Sequence, residues 1–340
     1  MRRILLFVIA LIMSLEISSC KQDMEKEVIN TLAIQSVGML TDGRLHVILL
    51  GSGGPINNVR RVSSSTAVIA GGGFYLVDVG PGSIRNADLQ NLPLGALSGV
   101  LLTHFHSDHI AELGEANFQS WANGRYQKME VYGPEGVEKV VGGFIQAYDF
   151  DTNYRIVHHG EDVMPPEAAI PTVKTISFMN PDKAELIFEK NGLKAYAFLV
   201  DHYPAVPAVG YRFEYKGNIV VLTGDTKKVD ILTEQARNAD LLICDALSYK
   251  MADFVARIAD GSGQPRIAKI MHDIQEYHMS PVQAAELARD AGAKKLVLYH
   301  ITPPVTNPIA RYAFMEGVNG IYNGVVVLGE DGMVFNLDPK

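Results

Sequence analysis

Residues 104–109 read His-Phe-His-Ser-Asp-His, directly after the apolar run Val100-Leu101-Leu102-Thr103. That run predicts a buried strand leading straight into the histidines. Alternation along an extended chain puts His104 and His106 on one side, where both can reach one Zn2+. Asp108 and His109 lie past the turn and are free to point to a second ion. A lone histidine is usually a satisfied polar residue. Three imidazoles and a carboxylate within six residues would be costly to bury without metal. The chain must therefore fold so that side chains converge at a strand's end.

At 340 residues the chain is long enough for one large α/β domain or two ordinary ones. With 47% hydrophobic and 20% charged residues it falls in no collagenous, coiled-coil or disordered class. The N-terminus differs from the rest: Arg2 and Arg3 precede the apolar run Ile4–Leu15, then Ser18, Ser19 and Cys20. This is the order of a secretory signal, too short to span a bilayer as a permanent helix. Ile17-Ser18-Ser19-Cys20 resembles a bacterial lipobox, so residues 1–19 are expected to be a lipoprotein-type signal with lipid on Cys20. The alternative is a plain cleaved signal in which Cys20 is incidental. The expected location is the periplasm or outer cell envelope. With Cys20 lipidated, Cys244 is the only thiol left and no intramolecular disulfide forms. The net charge of −8 argues against a polyanion as substrate, since nucleic-acid affinity is largely phosphate neutralisation.

Residues 20–43 read as a polar tether and residues 44–340 as the folded domain, without repeats or a composition shift. Strands are expected at Leu45–Leu50, Thr66–Ala70, Phe74–Val79, Val100–Thr103 and Met129–Tyr132. More follow at Lys194–Val200, Val209–Tyr215, Asn218–Thr223, Leu241–Asp245 and Lys295–Tyr299. A helix is expected over Glu135–Tyr148, with Asp149–Asn180 irregular, either a flap or a solvated loop. Ser280 as N-cap, Pro281 at the first helical position and Gly292 at the end bound another helix. Gly324–Leu328 and Met333–Leu337, around Glu330-Asp331-Gly332, read as a β-hairpin. Gly51-Ser52-Gly53-Gly54 reads as a turn, since no GK[ST] follows.

The HxHxDH pattern resembles the metallo-β-lactamase superfamily. That resemblance implies a four-layered αβ/βα sandwich and supplies the remaining ligands in order: His202 after a strand, Asp225 in Leu222-Thr223-Gly224-Asp225, and His300 closing Leu296–Tyr299. One Zn2+ would be held by His104, His106 and His202. A second would be held by Asp108, His109 and His300, with Asp225 bridging both. A metal-bridging hydroxide would be the nucleophile, with Asp108 counted among the catalytic residues.

Within the superfamily, residues 44–302 are most similar to ribonuclease Z and to sulfatases of this fold. Leu50–Pro55, Ser63-Ser64-Ser65, Leu76–Gly82 and Tyr132–Gly136 carry that likeness. Cys244-Asp245-Ala246 stands where the branch has His-Glu-Ala-Thr, and Tyr277-His278-Met279-Ser280 where it has His-Ser-Thr. The resemblance implies a His278–Asp245 pair that gives a proton to the leaving group, the carboxylate orienting the imidazole and raising its pKa. Asp78 is expected to brace the histidine loop. Two departures stand out. Only 22 residues separate His202 from Asp225, so the tRNA-gripping arm of ribonuclease Z is missing, and Asp245 replaces a glutamate.

The expected function is an exported dinuclear zinc hydrolase of a phosphodiester or sulfate ester. Its expected partners are a small-molecule ester substrate and a membrane contacted only through the lipid on Cys20. Nucleic acid is expected to be an unlikely partner. The oligomeric state stays open, a homodimer included. The alternatives are a lactone hydrolase, tRNA processing of the ribonuclease Z type, and a non-catalytic envelope protein.

Overall fold

Burial of both faces of the central strands dictates the architecture. The computed structural model describes residues 37–340; the signal read in 1–19 and the tether as far as residue 36 lie outside them. The strands are β1 (Leu45–Gly51), β2 (Ser65–Ala70), β3 (Gly73–Val77), β4 (Leu97–Leu101), β5 (Glu130–Gly133) and β6 (Thr172–Thr175). They continue with β7 (Glu185–Lys190), β8 (Leu193–Val200), β9 (Ala208–Tyr215), β10 (Asn218–Leu222) and β11 (Leu241–Leu247). The last are β12 (Lys295–Thr302), β13 (Val325–Leu328) and β14 (Val334–Leu337). Two seven-stranded sheets result, ordered β14-β1-β2-β3-β4-β5-β6 and β13-β12-β11-β10-β9-β8-β7.

Leu45, Val47 and Leu49 of β1 join a core with Val209, Tyr211, Val220, Ile243 and Val297, sandwiched between the sheets. Ile48 and Leu50, on the other face of the same strand, pack with Ile84, Leu113 and Val137 of the first helical layer. In the second sheet Leu242, Leu296 and Leu298 face Ala284, Leu287 and Ala288 of helix Pro281–Ala291. Strands buried on both faces read as continuous apolar runs, and each fully buried aliphatic contributes roughly 1.5–3 kcal/mol. The four-layered αβ/βα sandwich is thus realised.

Three expectations change. Helix Val137–His159 runs well past Tyr148, though only Val137 and Val141 are fully buried. An Asp151–Arg155 pair at 2.8 Å supports the exposed part, and Gly160 (φ 85°) ends it. The remainder of the segment expected to be irregular contains helix Pro166–Ala169 and β6. The C-terminal strands do not form a hairpin: β13 pairs in parallel with β12, and β14 antiparallel with β1. The turn between them crosses from one sheet to the other because Asp331 is anchored in between. Its carboxylate accepts bonds from Ser52 N (2.9 Å), Ser52 Oγ (2.8 Å) and Val62 N (2.8 Å).

Candidate metal centre

The donors collect at the carboxyl ends of strands from both sheets, where an α/β sandwich leaves a crevice. Asp78 follows β3 in the left-handed region (φ 59°), a costly conformation for a residue with a side chain. Its carboxylate accepts from Thr103 N, Thr103 Oγ1 and His109 Nδ1, each at 2.8 Å. With its hydroxyl hydrogen given to Asp78, Thr103 Oγ1 accepts from His104 Nδ1 at 3.0 Å. His202 Nδ1 donates to the Tyr277 carbonyl at 3.0 Å. These three bonds orient each ring so that Nε2 of His104, His109 and His202 faces the centre, and in His104 and His202, which stay neutral, Nε2 is a bare lone pair.

His104 Nε2 lies 2.9 Å and His202 Nε2 3.3 Å from His106 Nδ1. Beside them, Asp225 Oδ2 lies 3.2 Å from His109 Nε2 and 3.1 Å from His300 Nε2. Asp108 Oδ2 sits 3.2 Å from His300 Nε2 and 3.5 Å from His109 Nε2. Two glycines make this convergence possible. Gly224 (φ 63°) turns the chain into Asp225, and a Cβ on it would sit 2.8 Å from the Val209 carbonyl. A Cβ on Gly54 would meet Thr302 Oγ1 at 2.4 Å and His300 Cε1 at 3.0 Å.

The electrostatics fit cations. Burial pushes the His104 imidazole well below its ordinary range and His202 down to about 4, so both stay neutral. Burial pushes the Asp225 carboxyl up, yet the imidazoles of His300 and His109 overcome it and hold it well below the usual range. Burial likewise opposes ionisation of Asp108, but His109 and His300 hold it at about 2. His109 Nε2 and Asp225 Oδ1 are buried with no hydrogen-bond partner. Lone pairs and carboxylates turned on one another need positive charge between them. His104, His106 and His202 could hold one ion and Asp108, His109 and His300 another, and Asp225 also groups with His104 and His109.

His278 Nδ1 is 2.9 Å from Asp245 Oδ2, both buried. The His278 ring stacks on His300 (5.1 Å, 23°) and lies near His202 and Asp225. The expectation that Asp245 raises the His278 pKa is corrected: burial pushes it down to about 4. Burial, reinforced by Asp225, pushes the Asp245 carboxyl well up, so the partner cannot supply a full negative charge. Among other histidines, His272 is exposed and meets only Asp253, at 3.7 Å. His46 is buried between Asn336 and Asp42, and His158 and His159 end an exposed helix. Sequence reasoning assigned no role to Thr103 or to the Tyr277 carbonyl; their only signal was adjacency to His104 and His278.

The model of the beta-lactamase superfamily domain matches residues 74–301. A curated ribonuclease Z of Mycobacterium bovis is 35% identical over 264 residues, covering 77% of this chain and 87% of that protein. Ribonuclease Z of Mycolicibacterium gilvum is 32% identical, covering 76% and 85%. Among solved structures, the short form of human tRNase Z superposes with a TM-score of 0.60 at 22% identity, covering 86% of this chain and 99% of that one. YhfI, a metallo-beta-lactamase fold protein from Bacillus subtilis, gives 0.60 at 21%, with the same coverage.

These relatives overturn the expectation of a small-molecule ester substrate with nucleic acid an unlikely partner, since the curated relatives are ribonucleases by name. The physical error was to read a local property from a bulk one. Net charge averages over the whole surface, whereas phosphate contacts are local.

Proposed function

The chain belongs to the beta-lactamase superfamily and to the ribonuclease Z family within it, and from that premise we propose that it is a metal-dependent phosphodiesterase that cleaves RNA. The observation that carries this reading is the convergence of seven donors beside a buried His278–Asp245 pair, in a chain whose likeness to ribonucleases extends over 264 residues. In this reading His104, His106 and His202 would hold one Zn2+ and Asp108, His109 and His300 another, with the Asp225 carboxylate close to both groups. Bound there, the ions supply an activated hydroxide and positive charge for a phosphoryl group.

The protein's own groups do the rest. Asp78 and Thr103 fix the His109 and His104 rings, and the Tyr277 carbonyl fixes His202. Asp245, whose carboxyl burial keeps protonated, donates to His278 Nδ1, which puts the imidazole proton on Nε2, where it can pass to the departing oxygen. The export signal read in residues 1–19 bears on which RNA the site meets and not on the bond it breaks.

The test is turnover by zinc-loaded protein on a short RNA, bis(p-nitrophenyl) phosphate, an aryl sulfate and a lactone. RNA and the aryl phosphodiester should be cleaved, and a chelator should abolish both. Turnover of the lactone or the sulfate alone would refute the reading.

A further inference from the structure

The connection from His202 to Asp225 holds only β9 and β10, so any grip on nucleotides beside the cleaved bond must come from the rim of the centre. That rim is open at His106, which is exposed, and it carries Tyr277. The Tyr277 ring lies 5.0 Å from the His202 ring at 84°, and 5.0 Å from the His278 ring at 49°. Its backbone is tied in place because its carbonyl accepts from His202 Nδ1. Tyr277 is half-buried, with its ring packed beside two site imidazoles. Tyr203, next to His202 in the chain, is 71% exposed.

The Tyr277 hydroxyl has no hydrogen-bond partner among the described residues, unlike those of several tyrosines that support the fold. Tyr211 gives its hydroxyl hydrogen to the Leu102 carbonyl, Tyr249 to that of His278 and Tyr322 to that of Ala293. Buried phenols find such partners because an unpaired one is costly. A seated ring whose hydroxyl is not tied to a protein acceptor is instead suited to present its face. Bases of single-stranded RNA stack on such faces, whatever their sequence.

We propose that Tyr277 is a stacking platform for the nucleobase next to the scissile phosphodiester, and so a positioning residue for RNA. The inference rests on the RNA-cleaving reading above. The test compares wild type, Tyr277→Phe and Tyr277→Leu on a short single-stranded RNA, and on the same RNA made abasic at the nucleotides flanking the cleaved bond. KM and kcat are measured on zinc-loaded protein, and Kd by fluorescence anisotropy on metal-free protein. Tyr277→Leu should raise Kd and KM for intact RNA about tenfold, the scale of one lost base stack, and leave abasic RNA unchanged. Tyr277→Phe should behave as wild type, and zinc content should be equal in all three.

If Tyr277→Leu weakens intact and abasic RNA equally, the ring only supports His202 and the platform is refuted. A Tyr277→Phe loss as large as that of Tyr277→Leu would assign the effect to the hydroxyl and also overturn it. Both results leave the RNA reading standing. Failure of wild type to bind or cleave either RNA removes that reading, and the inference with it.

Discussion

Asp78 and Asp245 each hold an imidazole by Nδ1, at 2.8 and 2.9 Å, but to different ends. Asp78 also binds both the backbone and the hydroxyl of Thr103, so it fixes the histidine loop and the His109 ring together. Asp245 Oδ2 shares one short bond with His278 Nδ1, with Thr226 N and Met279 N at 3.4 Å, and its Oδ1 has no partner. Burial keeps its own ionisation costly. Such a pair shares a proton readily, which suits delivery to a departing oxygen. His278→Ala should therefore slow cleavage of RNA, whose alkoxide leaves poorly, by about 10²–10⁴-fold. An activated aryl phosphodiester, whose phenolate leaves unaided, should lose far less. Equal losses on both substrates, measured as kcat at saturation with zinc content unchanged, would refute the proton-donor role.

At the scale of elements, the segment after His278 shows how local chemistry sets the site. Ser280 Oγ accepts from Gln283 N, and Gln283 Oε1 accepts from Ser280 N, a reciprocal cap at the start of helix Pro281–Ala291. Ser280→Ala should cost about 1 kcal/mol. Thermal unfolding should show it as a Tm drop of about 2–4 °C at unchanged zinc content, and an unchanged Tm would mean that the cap adds nothing. This helix was legible in advance because Ser280, Pro281 and Gly292 each carry a boundary signal. The convergence of these seven residues was legible too, since each follows or closes an apolar strand run and motif order links residues far apart. Helix Val137–His159 was read short because beyond Val141 it buries no side chain fully, so no apolar period marks its second half. The tail was read as a hairpin because two apolar runs around Asp331-Gly332 look alike whether they pair with each other or with different sheets. Only Ser52 and Val62, some 270 residues earlier, decide it. The depressed His278 pKa was equally hidden, because burial depends on everything packed around the pair.

At the scale of the molecule, the centre sits on the seam between the two sheets. His104, His106, Asp108 and His109 follow β4 of the first sheet, whereas His202 and Asp225 follow β8 and β10 of the second and His300 lies in β12. The core between the sheets holds them by non-directional apolar contact. The donors are the point where both sheets commit charged and polar side chains to one place, with His109 Nε2 and Asp225 Oδ1 left unpaired. Ions bound there would tie the halves together, and they bind the folded chain alone, because no unfolded chain gathers donors so far apart. Linkage then adds about 4 kcal/mol when free zinc stands at about 1,000 times Kd. At about 2–4 °C per kcal/mol, chelation should lower Tm by on the order of 10 °C. Asp225→Asn withdraws a carboxylate that faces both donor groups, so its Tm should respond much less to chelator. Equal midpoints for wild type with and without chelator would show that the two sheets hold together without metal, and that the donors at the seam serve chemistry alone.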